Sequence, residues 1–369
     1  MLQKALVLVL VLASIAGCVS CGGTTSHFVY AAIPNANQIA AFRADPYSGV
    51  LTQLSGSPYT VGDGVRSVAL HPSGKFLYAA NPGQDENDVS LFAINSNGTL
   101  NEIFPRTPVG TSPTLVAVDS AGAYLYVANT LSNNISVFSI DSSSGALTAV
   151  TGSPFGTNLS LTDMVLSPSG NFLYISAANQ PSGVIAVFSI TAGVISSSAV
   201  SLTFTADSSP TGMVINPTGT YLYAANGGIG NSISIYSIGS NGALTAAPGS
   251  PLADTSQHPV ALILDPKGQF LYVANQGSSG SGAGSTSSGS NIGTYSITSG
   301  TGFPAAVQDS PFASETQPSF LAMDPNGNYL YVGNQTSGGV QAFGNASGSL
   351  NAIASYPIGN GITSLAVLP

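Results

Sequence analysis

The 369-residue chain is only 6% charged, with 6 Lys and Arg against 15 Asp and Glu, yet 43% of it is hydrophobic and 43 residues are glycine. Disorder pairs low hydrophobicity with high net charge, so this composition belongs to a folded chain. The formal charge of −9 and the shortage of bases exclude nucleic acid, polyphosphates and anionic membrane surfaces as partners.

The amino terminus reads as an export signal. Lys4 is followed by an apolar run over 5–15, too short for a membrane span, which needs about 20 apolar residues. Ile15-Ala16-Gly17-Cys18 resembles the bacterial lipoprotein box, in which the cysteine is acylated after cleavage. The expected organisation is a lipoprotein-type signal over 1–17, a tether over 18–27 and a propeller over 28–369. Lipidation at Cys18 would leave the protein in the cell envelope, touching the membrane only through its anchor. Ordinary cleavage near Ala16 or Cys21 is the alternative. Cys18 and Cys21 are the only cysteines, so the folded body has neither a disulfide nor a thiolate metal site.

Beyond the leader one phrase recurs, plainest at Pro72-Ser73-Gly74-Lys75-Phe76-Leu77-Tyr78-Ala79-Ala80-Asn81. Its tyrosines are Tyr30, Tyr78, Tyr126, Tyr174, Tyr223, Tyr272 and Tyr331, spaced near 48 residues with one longer gap before Tyr331. An all-strand period of this length predicts propeller blades. Each unit reads as four strands: in the second, 67–71, a Pro-x-Gly turn, 76–81, 89–94 and 99–103. The second strands are apolar on both faces of the pleat, as expected when blades stack face to face. Gly-Ser-Pro stretches at 56–58, 152–154 and 249–251 are expected to carry the chain to the next blade. The Gly/Ser-rich stretch 277–290 reads as a flexible loop between the second and third strands of the sixth blade.

Seven tyrosine strands exist, but the first has no inner strand before it. Residues 362–369 match 66–72, so the carboxy terminus is expected to complete the first blade and close the ring. The fold class is therefore all-β, a seven-bladed β-propeller of four-stranded blades, expected as a monomer.

These residues carry a family resemblance across nearly all of the mature chain. The Tyr-Val-Ala-Asn and Tyr-Val-Gly-Asn phrases resemble the repeat of microbial surface-layer propellers. With Phe-Leu-Tyr-Val-Ala-Asn, Ser-Val-Phe-Ser-Ile and Gly-Ala-Leu-Thr, the whole pattern is similar to the seven-bladed lactonase family. That family includes 6-phosphogluconolactonase-type and muconate-cycloisomerase-type enzymes. The resemblance implies a lactone hydrolase with His, Arg and carboxylate groups at the channel mouth, and no cofactor.

In a repeat protein, function should lie where blades differ. The terminal Asn of the second strand recurs as Asn81, Asn129, Asn179, Asn226, Asn275 and Asn334 and reads as a turn-satisfying amide. The first residue of each inner strand should face the axis: Thr363, Arg66, Thr114, Thr162, Thr211, Val260 and Ser319, with Asp63, Asp163, His258 and Gln317 nearby. The hydroxyls and Gln317 suit hydrogen bonding to a small carbohydrate or lactone. A water-filled channel is the structural alternative. Arg66, Asp163 and His258 are the catalytic candidates, a cation for the oxyanion and two groups for proton transfer. His258-Pro259 matches part of a His-Pro-His entry expected in such proteins, with Val260 in place of a second His. One cation suits an uncharged lactone better than a phosphorylated one. Asp85-Glu86-Asn87-Asp88 could offer oxygen ligands to calcium but lacks a Gly-spaced loop and reads as a solvated surface loop. A non-catalytic envelope propeller that binds protein or glycan is the second hypothesis.

Overall fold

A computed structural model describes residues 27–368, except 84–85, 179–182, 205–209, 229, 255, 278–288 and 360. The signal over 1–17, Cys18, the tether up to residue 26, Asp85, Asn179, Pro369 and most of the 277–290 loop lie outside the described residues. Among the described residues the first strand is His27–Ile33.

The described residues form seven antiparallel sheets. Blade 2 shows the plan: Ser67–Leu70 innermost, then Phe76–Pro82, Asn87–Ile94 and Leu100–Pro108. Blade 1 is assembled from both ends of the chain. Its second, third and outer strands are His27–Ile33, Gln38–Ala44 and Leu51–Gln53, and Ser364–Leu368 pairs with the first of these from Phe28↔Leu368 to Ala32↔Ser364. The closure read from the repeat count is present. It pairs an apolar edge that would otherwise stand open.

The second strands are the best buried part of each sheet, with Leu77, Tyr78, Ala79 and Ala80 fully inaccessible. Alternate residues feed different interblade cores: Leu77 and Ala79 pack towards blade 1, Tyr78 and Ala80 towards blade 3. The tyrosine does more than fill space. Tyr78 Oη donates to the Gly145 carbonyl at 2.9 Å, in the hairpin between third and outer strands of the next blade. Tyr30 with Gly98, Tyr174 with Gly242 and Tyr223 with Gly302 repeat this bond, and Tyr331 with Gly49 carries it across the ring closure. Two residues earlier in the strand, an aromatic ring lies against that same glycine. A Cβ on Gly145 would stand 2.7 Å from Phe76, and one on Gly242 would stand 2.5 Å from Phe172. These glycines also have positive φ, which a side chain would strain. The Phe-Leu-Tyr phrase of one blade and the Gly-x-Leu phrase of the next are therefore two halves of one joint.

Two sequence expectations are corrected. The Gly-Ser-Pro stretches do not lead straight to the next blade. Ser153 Oγ accepts the Val137 N–H at 2.8 Å, and Phe155–Gly156 then pairs back on the third strand of the same blade. Ser57, Ser250 and Ser310 accept third-strand amides in the same way. The strand-end amide is also not common to six blades. Ala177 occupies its position in blade 4, paired with Val184, and Ile33 does so in blade 1. In blades 2, 3, 5 and 6 the Asn serves side chains rather than the turn, as where Asn129 Nδ2 donates to Asn134 and Ser136 of the neighbouring strand, and in blade 7 Asn334 Nδ2 donates to the Val332 carbonyl.

Candidate active site

The inner strands stand around the axis in chain order, and their first residues line one cavity of about 430 Å3. All seven expected positions are there: Thr363, Arg66, Thr114, Thr162, Thr211, Val260 and Ser319. They coincide because each inner strand keeps a constant register to its Pro-x-Gly turn. In several blades this strand carries a bulge at its start, between Leu161 and Asp163, Pro210 and Gly212, Pro259 and Ala261, and Pro318 and Phe320. A bulge lets two consecutive residues reach the same side. Asp163, Gly212, Ala261 and Phe320 accordingly join the lining behind their neighbours.

The hydroxyl ring is not uniform. A hydroxyl has one proton to give. Thr211 Oγ1 donates to the Pro259 carbonyl of the next blade at 2.8 Å, and Ser319 Oγ to the Ile362 carbonyl at 2.6 Å. Thr162 shares a hydrogen bond with Ser176 at 2.8 Å. Thr363 Oγ1 is buried with no partner, and Thr114 makes no side-chain hydrogen bond among the described residues. These two flank Arg66, whose guanidinium is exposed to the cavity without an ion pair among the described residues.

Asp163 is the cavity's carboxylate. Its Oδ2 accepts the Met213 N–H of blade 5 at 2.6 Å, and the Met164 amide also donates to the group. Burial nevertheless raises its pKa to about 7, the two amides only partly offsetting the loss of water. Ser67 and Ser364 hold the equivalent position in blades 2 and 1 and bridge the same joint, to Val116 N–H and Val68 N–H. Asp163 thus does structurally what two serines do elsewhere, with an ionisable group in their place.

His258 and Gln317 do not line this cavity. Both hold a left-handed turn just before the inner-strand proline, at φ 59° and 57°, where Gly64, Ser112 and Gly361 stand in other blades. His258 is exposed and its N–H donates to Asn231 Oδ1 at 2.8 Å, while the Gln317 amide meets the Thr336 hydroxyl. The expected grouping of Arg66, Asp163 and His258 is therefore reduced to the first two. Asp63 is likewise outside the cavity, accepting from Asn37 Nδ2 at 2.7 Å. Gln335, directly after the strand-end Asn334, lines the cavity and was not singled out by the sequence. Its place one residue beyond a recurring Asn is the only signal it gave. His71 is tied into the blade 2 turn and the Gly122 carbonyl.

In the acidic segment, Glu86 lies 3.8 Å from Arg106, Asn87 Oδ1 accepts the Ser112 N–H, and Asp88 accepts from Asn81. Among the described residues no group of three or more His, Cys, Asp or Glu is placed to hold a metal ion.

The family model described as lactonase, 7-bladed beta-propeller, matches this chain in overlapping stretches, 23–118, 54–156, 149–253, 192–283 and 245–366. The chain belongs to that family. Within it, the lactonase propeller is 44% identical to a 6-phosphogluconolactonase of Formosa agariphila over 88 residues, 23% of this chain and 25% of that protein. The match to the 6-phosphogluconolactonase of Bacillus subtilis is 28% over 149 residues, 41% of that protein. The chain thus spans between a quarter and about two fifths of the length of these relatives. In solved structures, the periplasmic gluconolactonase of Pseudomonas aeruginosa superposes with a TM-score of 0.74 at 17% identity, covering 93% of this chain and 99% of that one. At that identity the likeness shows the lactonase propeller's fold alone.

Proposed function

We propose that the protein is an exported lactone hydrolase acting in its axial cavity on a small lactone without phosphate. Carbohydrate lactones are the first class to test, since its relatives are named for them. The observation that carries this reading is that Arg66 and Asp163 face one cavity in a chain of the lactonase family. Ionised Asp163 takes a proton from water as the water oxygen bonds to the lactone carbonyl. Arg66 donates to the oxygen on which negative charge develops, with Thr114 beside it. The carbon–oxygen ring bond then breaks, and protonated Asp163 returns its proton to the leaving alkoxide, giving the hydroxy acid. A phosphate ester would require several cations, and the lining offers one. Neutral hydrogen bonds contribute only about 0.5–1.5 kcal/mol net, against about 1.5–3 for charged ones, so the catalysis is weak. The same reading includes acylation at Cys18 and an envelope location, checked by mass spectrometry of the mature amino terminus.

A non-catalytic envelope propeller that binds protein or glycan is the second reading. It is favoured by Asp163 carrying the interblade bond that Ser67 and Ser364 carry elsewhere. Turnover of gluconolactone with and without the 6-phosphate separates the two. Arg66→Ala is expected to lower kcat/KM on the unphosphorylated lactone by about 10²–10³, the scale of losing one oxyanion donor. Asp163→Asn should also lower it, and His258→Ala should leave it unchanged. No turnover by the native protein, or turnover indifferent to Arg66 and Asp163, would support the binding propeller.

A further inference from the structure

The cavity wall has two chemically different halves. Blades 1 to 4 present Arg66 and Thr114 with unengaged donors, and Asp163 behind them. Blades 5 to 7 present one side-chain amide, that of Gln335, and no charged group. The Thr211 and Ser319 protons are already committed to backbone carbonyls, and Val260 stands between those two residues. Behind them the wall is made by Met213, Leu262 and Phe320, whereas Leu115 and Met164 line blades 3 and 4 beside the polar groups there. Leu262 and Phe320 are only partly buried, and each is anchored in an interblade core while still facing the cavity. The apolar surface is thus held in place, and it is not closed over by a neighbour. Gly212 preserves it: a Cβ there would stand 2.8 Å from the Val260 carbonyl, so no larger side chain fits at this joint without moving the strands.

A polyhydroxylated ring carries hydroxyls on every side. Those pressed against Val260, Leu262 and Phe320 would lose water without finding a hydrogen-bond partner, a penalty that an apolar group avoids. We infer that the cavity takes a lactone bearing an apolar substituent, its ester carbonyl toward Arg66 and the substituent against Val260, Leu262 and Phe320. This rests on the lactone-hydrolase reading for turnover but not for binding.

The test compares δ-nonalactone, δ-valerolactone and glucono-δ-lactone as substrates of the full mature protein. In parallel, the unreactive lactam analogues of the first two are titrated by calorimetry. We expect kcat/KM for δ-nonalactone to exceed that for either other lactone at least about tenfold, the range in which added methylenes discriminate. Val260→Thr, close to isosteric and checked by its melting curve, should narrow the gap between δ-nonalactone and δ-valerolactone several-fold. Turnover that is equal on all three, or best on glucono-δ-lactone, overturns the inference and leaves lactone hydrolysis standing. If no lactone is turned over, hydrolysis fails and the lactams decide. Binding of the alkyl lactam at least about tenfold tighter than the bare ring sustains the apolar half; equal or absent binding overturns it.

Discussion

The rim and the axis of this ring are built from the same seven repeats, yet they treat repetition in opposite ways. At the rim an aromatic side chain of one second strand meets the glycine of the next blade's hairpin in every joint, from Phe28 on Gly98 round to Tyr329 on Gly49. All seven marker tyrosines are fully buried beside these contacts. At the axis the matching positions hold hydroxyls, one arginine and one valine, and one step deeper Ser67, Leu115, Asp163, Gly212, Ala261 and Phe320. The rim must satisfy the same packing demand seven times, so its solution recurs. The axis joins its blades less uniformly, since Ser67, Ser364 and Asp163 receive the next blade's amide with different groups and other blades do without one. Variation there is free to serve a ligand.

The largest way to break the rim is to open the ring. Removing residues 361–369 strips the inner strand from Phe28–Ala32 and takes away Leu365 and Leu368, which join two interblade cores. A melting curve should lose its single cooperative transition, and an unchanged curve would refute the closure as a source of stability. A smaller break is Gly242→Val. Strain at positive φ and overpacking on Phe172 each cost about 1–3 kcal/mol, so a loss of about 2–5 kcal/mol is expected in urea unfolding. The near-isosteric axial substitution Val260→Thr should show much less.

The smallest effect sharpens the axis. Folded Asp163 titrates near 7 against an ordinary 3.8, so between those values the folded state holds a proton that the unfolded state has released. Stability contributed by this group is therefore present at acid pH and declines as pH rises from about 4 to about 7. Asp163→Asn removes the ionisation while its amide oxygen can still accept the Met213 N–H. The variant's stability should be flatter over that window than the native protein's. Superimposable pH profiles would show that the carboxyl is not destabilised by its site.

Most of the fold was legible because a blade is a local object. Tyr78, its turn and its hairpin lie within one period, and a count from the turn proline found all seven axial residues. What escaped the sequence depends on neighbours. Whether Thr211 offers its proton to a ligand is decided by the Pro259 carbonyl of the next blade, and a hydroxyl looks the same in sequence either way. His258 was read by its partner Pro259, but the dipeptide belongs to a left-handed turn that Ser112 and Gln317 occupy equally well. Asp163 looked like a free base, and its equivalence to Ser67 appears only when joints are superposed. In blade 4 the counted asparagine, Asn179, falls beyond the position that Ala177 holds.

The shared first blade has a consequence for how the protein is made. Its strands come from two segments far apart in the chain, 27–53 and 364–368, and Leu51 N–H reaches across 305 residues to the Tyr356 hydroxyl. Until Ser364–Leu368 has been translated, the innermost place in that sheet stays empty and the two ends of the array have nothing to join. Contacts of such long range are slow to form because a large loop must close before they reward it. Intermediate chains therefore present the Phe28–Ile33 edge to whatever surrounds them, and a chaperone that shields this edge would act for the whole duration of synthesis. Completion of the ring is a single late event that the nascent chain cannot anticipate.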